Sequence, residues 1–111
     1  MSAAAASRSR ALRELAEIGA AISWLHSQSI KSDATGSTRS AEIQEALALL
    51  YAREAGWWAV LRHHAPRDLA HIYRVAMIKA RSLSRARAVD CGCSAREWRR
   101  LAATAAGGDV R

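Results

Sequence analysis

The chain has 111 residues, half of them hydrophobic, and its 17 Lys and Arg against 10 Asp and Glu give a formal net charge of +7. This length allows one domain with a single modest core, and no apolar run approaches the ~18 residues of a membrane span. Residues 1–55 contain six basic and six acidic residues, whereas residues 56–111 contain eleven and four. This asymmetry is typical of a polyanion-binding lobe, although a solvated arginine-rich surface would have the same composition.

The N-terminal third is predicted to contain one amphipathic helix. Residues 1–9 lack the hydrophobic centre and cleavage site of a signal peptide, and we interpret them as a disordered tail. Residues 10–27 are predicted to be helical because apolar side chains recur every three or four residues. They are Leu12, Leu15, Ile18, Ile22 and Leu25. Residues 28–40 are rich in Ser and Thr without periodicity, which indicates a polar linker.

Residues 41–106 are predicted to form a helical DNA-binding domain. Its first helix, to about residue 63, has an apolar stripe interrupted by one polar residue, Glu54. The adjacent Trp57 and Trp58 cannot share a face, so one should be in the core and the other at a boundary. Pro66 suits the first turn of the next helix. The expected fold is all-α, with about five helices and a compact C-terminal trihelical unit.

Residues 83–101, LSRARAVDCGCSAREWRRL, have the pattern of a helix-turn-helix. Gly92 lies where a sharp turn favours a residue without Cβ. Ser94 and Glu97 form a capping box, which predicts that a second helix starts at residue 95. In this helix Trp98 would be buried. The outward residues Arg96, Arg99 and Arg100 would suit guanine edges and phosphates in a major groove.

Two features of this segment leave alternatives open. Arg87 occupies a usually apolar position, so either its stem packs or Ala86 and Val89 supply the buried face. A generic pair of basic helices in a small bundle would also give this pattern. Cys91 and Cys93 are too close to staple the fold and flank the turn glycine, where packing is favoured over a zinc site.

No pattern of catalytic residues is present, and we expect no enzymatic activity, cofactor or metal. His63 and His64 stand at a predicted helix end without a nucleophile or carboxylate at a suitable spacing. The sequence also lacks a phosphate-binding Gly-rich loop and an H-E-x-x-H motif.

The run LSRARAVDCGCSAREWRRLAATA resembles the C-terminal helix-turn-helix of sigma-factor region 4. It is most similar to the version in small phage late-gene antitermination proteins of the Q type. The block LRHHAPRDLAHIYR loosely resembles the helices before that motif, so the resemblance covers roughly residues 60–105. It implies a protein that binds double-stranded DNA near a late promoter and loads onto RNA polymerase. The DNA-binding residues that it implies are Ser94, Arg96, Arg99 and Arg100 in the groove and Arg81, Arg85 and Arg87 on phosphates.

The sequence therefore predicts a cytoplasmic, non-enzymatic DNA-binding transcription regulator that acts in antitermination or promoter control. A DNA-packaging or repressor-type protein could use the same motif. The alternative from another class is a small phage-type inhibitor whose basic lobe meets an acidic surface of a host protein, with Trp57 and Trp58 as a hot spot. A homodimer through the N-terminal helix or through these tryptophans is a further expectation.

Overall fold

The computed structural model describes residues 2–31 and 36–108, and over these residues the chain consists of three long helices without a strand. The helices are α1 (Ala3–Lys31), α2 (Gly36–His63) and α3 (His71–Gly108). The all-α prediction is confirmed, but the chain has three helices where about five were expected. The segment between α2 and α3 contains the single proline, Pro66, whose ring removes a backbone donor and cannot continue the preceding helix.

Consecutive helices run in opposite directions, and together they form an elongated molecule of 66 × 20 × 19 Å. Arg10 of α1 lies over Trp57 of α2, with the guanidinium carbon 5.3 Å from the ring centroid, and Glu14 pairs with Arg53 at 3.8 Å. Ser84 of α3 contacts Glu54 of α2 and Arg99 contacts Glu45, so α3 also runs antiparallel to α2. Within the described ranges, no Cα of α1 lies within 8 Å of one of α3. Both outer helices therefore pack on α2.

The core lies along the middle of α2. Its buried cluster comprises Ile18, Ile22, Ile43, Leu47 and Tyr51, with Ala88 and Cys91 of α3 packed against it. The apolar stripes predicted for residues 10–27 and 41–63 supply Ile18, Ile22, Ile43 and Leu47, whereas Tyr51 was not part of the predicted stripe. Leu12, which its spacing placed on the buried side of α1, is 57% exposed, and Trp24 is exposed to the same extent.

The predicted helix-turn-helix at residues 83–101 is wrong. α3 continues without a break through Gly92, and Gly92 does not have the positive φ that a turn glycine would need, since Gly36 is the one described residue with it. Ser94 and Glu97 therefore lie inside a helix and form no capping box. α3 packs along nearly the whole of α2. This tertiary packing stabilises one continuous helix over two short helices joined by a turn.

Three predicted boundaries also differ from the structure. α1 already begins at Ala3, so most of the expected N-terminal tail is helical. The expected linker at 28–40 is helical at 28–31 and 36–40, and its remainder lies outside the described residues. The helix expected from Pro66 begins instead at His71. In each case the observed end of the helix lies less than two turns from the expected one, within a polar or alanine-rich segment.

Candidate nucleic-acid interface

Most of the net positive charge of the chain lies on α3. This helix contains eight Arg and Lys but only Asp90 and Glu97 as acidic residues, a net charge of +6 of the chain's +7. α2, in contrast, has three basic and three acidic residues. An anionic partner would therefore be attracted to α3 before the other helices.

Three arginines form what we call the basic face of α3: Arg81, Arg85 and Arg96. They share one side of the helix because separations of four and eleven residues are close to one and three full turns. Arg85 and Arg96 are exposed and Arg81 is half-buried. Among the described residues, Arg81 and Arg85 have no hydrogen bond or ion pair. Arg96 donates to Cys93 Sγ at 3.2 Å, a weak acceptor. These guanidiniums are thus available to an anion.

The basic face borders a shallow groove between α2 and α3. Two adjoining clefts of about 360 and 480 Å³ make up this groove. Its α2 side is formed mainly by small residues, which let an extended ligand approach the helix backbone closely. The groove is lined by Glu45, Ala48, Leu49, Ala52, Ala55 and Gly56 of α2 and by Arg81, Arg85, Ala88, Val89, Gly92, Ala95, Arg96 and Arg99 of α3.

Arg99 and Arg100, which were predicted to face DNA, are each paired with a carboxylate. Arg99 donates from Nε and Nη2 to the two oxygens of Glu45 at 2.8 and 3.2 Å. This interaction lowers the pKa of Glu45 and raises that of Arg99. Arg100 makes the same kind of double contact with Glu97, at 3.1 and 2.5 Å, and lowers the pKa of its carboxyl. Both arginines are locally neutralised and contribute little to a basic surface.

Arg87 and Ser94 also lie apart from the basic face. Arg87 is two residues from Arg85, about 200° around the helix, and its guanidinium carbon lies 5.8 Å from the ring centroid of Tyr51. Neither alternative left by the sequence applies, because Ala86 and Val89 are exposed and Arg87, itself exposed, contacts Tyr51 through its head group. Ser94 is half-buried in the interior of α3. The seven predicted DNA-binding residues therefore do not form one surface.

A second group of polar residues surrounds Tyr51 in a cleft of about 520 Å³ between α1 and α3. His26 Nε2 and the Tyr51 hydroxyl are 3.1 Å apart. Burial raises the pKa of Tyr51, and burial, followed by the nearby Asp90, raises that of Cys91. A raised thiol pKa disfavours the reactive thiolate. Over residues 2–31 and 36–108, no three His, Cys, Asp or Glu side chains gather as a metal site would require.

The cysteines and tryptophans behave differently from the sequence-based expectation. Cys91 packs against the core, but Cys93 is exposed, since no turn encloses it. Trp57 and Trp58 are both half-buried, so neither is fully in the core. Trp98 is half-buried as well, near the first turns of α2.

Sequence reasoning missed the contact that joins α2 to the middle of α3. The hydroxyl of Ser84, which is 3% exposed, donates to Glu54 Oε1 at 2.6 Å. Glu54 was visible in the sequence as the one polar residue in an apolar stripe. A carboxylate at such a position indicates that the facing helix supplies a donor, although the sequence does not show which donor.

No protein-family model, curated protein or solved structure matches this chain. Among the described helices, none is both long and apolar enough to cross a bilayer.

Proposed function

We propose that this protein binds double-stranded DNA through the basic face of α3. The observation that supports the proposal is the alignment of Arg81, Arg85 and Arg96 on one side of a helix that carries almost all of the net charge. Their guanidiniums have no carboxylate partner among the described residues. Phosphates are among the anions that such unpaired guanidiniums bind with two hydrogen bonds.

The spacing of these arginines suits contact with the sugar–phosphate backbone. Arg81 and Arg96 are fifteen residues apart, which corresponds to about 22 Å along a straight helix. That distance spans roughly six to seven base pairs of duplex DNA. Because the face belongs to one straight helix and not to a helix-turn-helix, we expect phosphate contacts with little sequence preference.

Affinity for random-sequence duplex DNA at several salt concentrations tests this proposal. Each neutralised phosphate contributes a slope of about −0.9 in log affinity against log salt concentration. Three contacts would reduce the affinity roughly 40-fold when the salt concentration rises fourfold. In the triple variant Arg81→Gln, Arg85→Gln, Arg96→Gln, the slope should become less steep by about 2.7.

A matched control removes the same charge from other surfaces. Arg13, Arg62 and Arg67 are exposed on α1, at the end of α2 and in the segment before α3, respectively. Their replacement by Gln should leave most of the affinity and the salt slope intact. Equal losses in the two triple variants would show that binding depends on net charge alone, and would contradict the assignment of the basic face. Failure of the parent to bind DNA at low salt would refute DNA binding and favour the protein-interaction alternative.

Control of transcription through RNA polymerase remains a prediction from the sequence resemblance. The most specific part of that resemblance, residues 83–101, lies in a continuous helix, so the proposed DNA contacts do not depend on it. Selection of bound duplexes from a random pool, with and without RNA polymerase, tests this regulatory role. Enrichment of a common sequence only when polymerase is present would support it, and identical unenriched pools would contradict it.

A further inference from the structure

An apolar cavity lies at the end of the molecule where α2 connects to α3. It has a volume of about 530 Å³, within the range of roughly 300–1,000 Å³ that is typical of small-molecule sites. All three helices and the connecting segment contribute to its wall. The cavity is lined by Arg8, Trp58, Leu61, Ala65, Pro66, Leu69, Tyr73, Ala76, Met77 and Ala80.

Arg8 is the charged residue in this wall. Its Nη1 donates to the carbonyl oxygen of His64 at 2.7 Å, which fixes the guanidinium against the connecting segment. A guanidinium has five N–H donors, so most of them remain for a ligand. The surrounding segment, residues 62–74, has three arginines and one acidic residue, Asp68. The polar end of a bound molecule would therefore be anionic.

We propose that this cavity binds one free fatty acid, with the alkyl chain against the apolar wall and the carboxylate on Arg8. An apolar site with a single cation complements an amphiphile with one anionic group. The cavity is partly open to solvent, and its limited volume favours a single alkyl chain over a helix of a partner protein. This inference concerns a surface separate from the basic face and does not depend on DNA binding.

Dodecanoate below its micelle-forming concentration is the probe, and isothermal titration calorimetry measures its binding to the full chain. We expect one site per chain. Arg8→Gln should weaken dodecanoate binding about tenfold, because a charge-assisted contact is lost. The same change should leave the binding of dodecanol, which has no charge, unaltered. Arg13→Gln is the matched control on the same helix, and it should change neither affinity.

Two further measurements locate the bound chain. Ala76 lines the cavity and is exposed, so Ala76→Trp should fill the cavity without disturbing the core, and should abolish dodecanoate binding. A dodecanoate brominated near its methyl end should quench tryptophan fluorescence in the parent. It should quench much less in Trp58→Phe, although calorimetry still detects binding.

Other results would overturn the proposal. These are no binding of dodecanoate to the folded parent, or undiminished binding to Ala76→Trp. Binding to anionic phospholipid vesicles without binding of monomeric dodecanoate would indicate a membrane surface instead. Conversion of a parent dimer to a monomer by Ala76→Trp, measured by sedimentation, would show that a second copy of the chain occupies the cavity.

Discussion

Replacement of Gly92 by alanine tests whether α3 is continuous. The Cβ of an alanine at this position would have Arg96 Nη1 as its nearest neighbour, at 3.8 Å, an ordinary van der Waals distance. The substitution therefore causes no clash, and the change in helix propensity decides its effect. In the interior of a helix, alanine is more favourable than glycine by about 0.8–1.0 kcal/mol. We expect Gly92→Ala to stabilise the protein by about 0.8 kcal/mol.

Urea unfolding and thermal melting measure this change. A gain of this size corresponds to a rise in Tm of about 4 °C for a domain of this length. Gly36→Ala is the opposite control. Gly36 has a φ of 86°, where a side chain costs roughly 1–2 kcal/mol. This variant should be less stable than the parent by about that amount.

A loss of stability in Gly92→Ala would refute the continuous helix. If Gly92 occupied a left-handed turn, as the sequence pattern predicted, alanine would destabilise the chain by roughly 1–2 kcal/mol. The two arrangements therefore predict changes of opposite sign, which differ by more than the error of a urea titration. The free energy of unfolding thus distinguishes one long helix from two short ones.

Three further predictions concern the packing around α2. Leu47 is 1% exposed, so Leu47→Ala should lower the free energy of unfolding in urea by about 3–4 kcal/mol; a loss under 1 kcal/mol would show a less tightly packed core. Ser84→Ala should cost about 1–2 kcal/mol, but much less when Glu54 is already alanine, and equal costs in both backgrounds would contradict the hydrogen bond. Burial raises the pKa of Tyr51, so the folded state favours the neutral hydroxyl. The resulting stability is present below the ordinary tyrosine pKa of about 10 and is lost as the pH rises through the raised pKa. Comparison with Tyr51→Phe identifies the part of the tyrosinate absorbance that belongs to Tyr51. This absorbance should appear at a pH above the ordinary tyrosine pKa, and its appearance at the ordinary pKa would contradict the prediction.

The sequence allowed prediction of the parts of the fold that depend on hydrophobic periodicity. Ile18 and Ile22 in α1 and Ile43 and Leu47 in α2 lie where their spacing placed them, in one core cluster. A stripe of this kind is a local property of the sequence, because each helix must bury one face. The exposure of Leu12 was not predictable in this way, since it depends on which side of α1 faces α2, and the buried residue there is the adjacent Ala11.

The candidate site was less predictable because the sequence patterns in α3 are compatible with more than one structure. Ser94 and Glu97 have capping-box spacing, but the same residues are tolerated inside a helix that tertiary packing holds in place. The composition located the positive charge in the C-terminal half. It could not show that Glu45, fifty-four residues away, neutralises Arg99. Partners of this kind depend on the register between α2 and α3, which no local pattern specifies.

The backbone of α1 comes close to α2 but not to α3, and this arrangement has a consequence for how the molecule opens. With no backbone approach to α3, α1 can detach while the α2–α3 hairpin keeps its own interface. Amide hydrogens of α1 should then exchange with solvent faster than those in the middle of α2, through partial openings that need less free energy than global unfolding. A ligand held by Arg8 would connect the N-terminal part of α1 to the hairpin and slow that exchange.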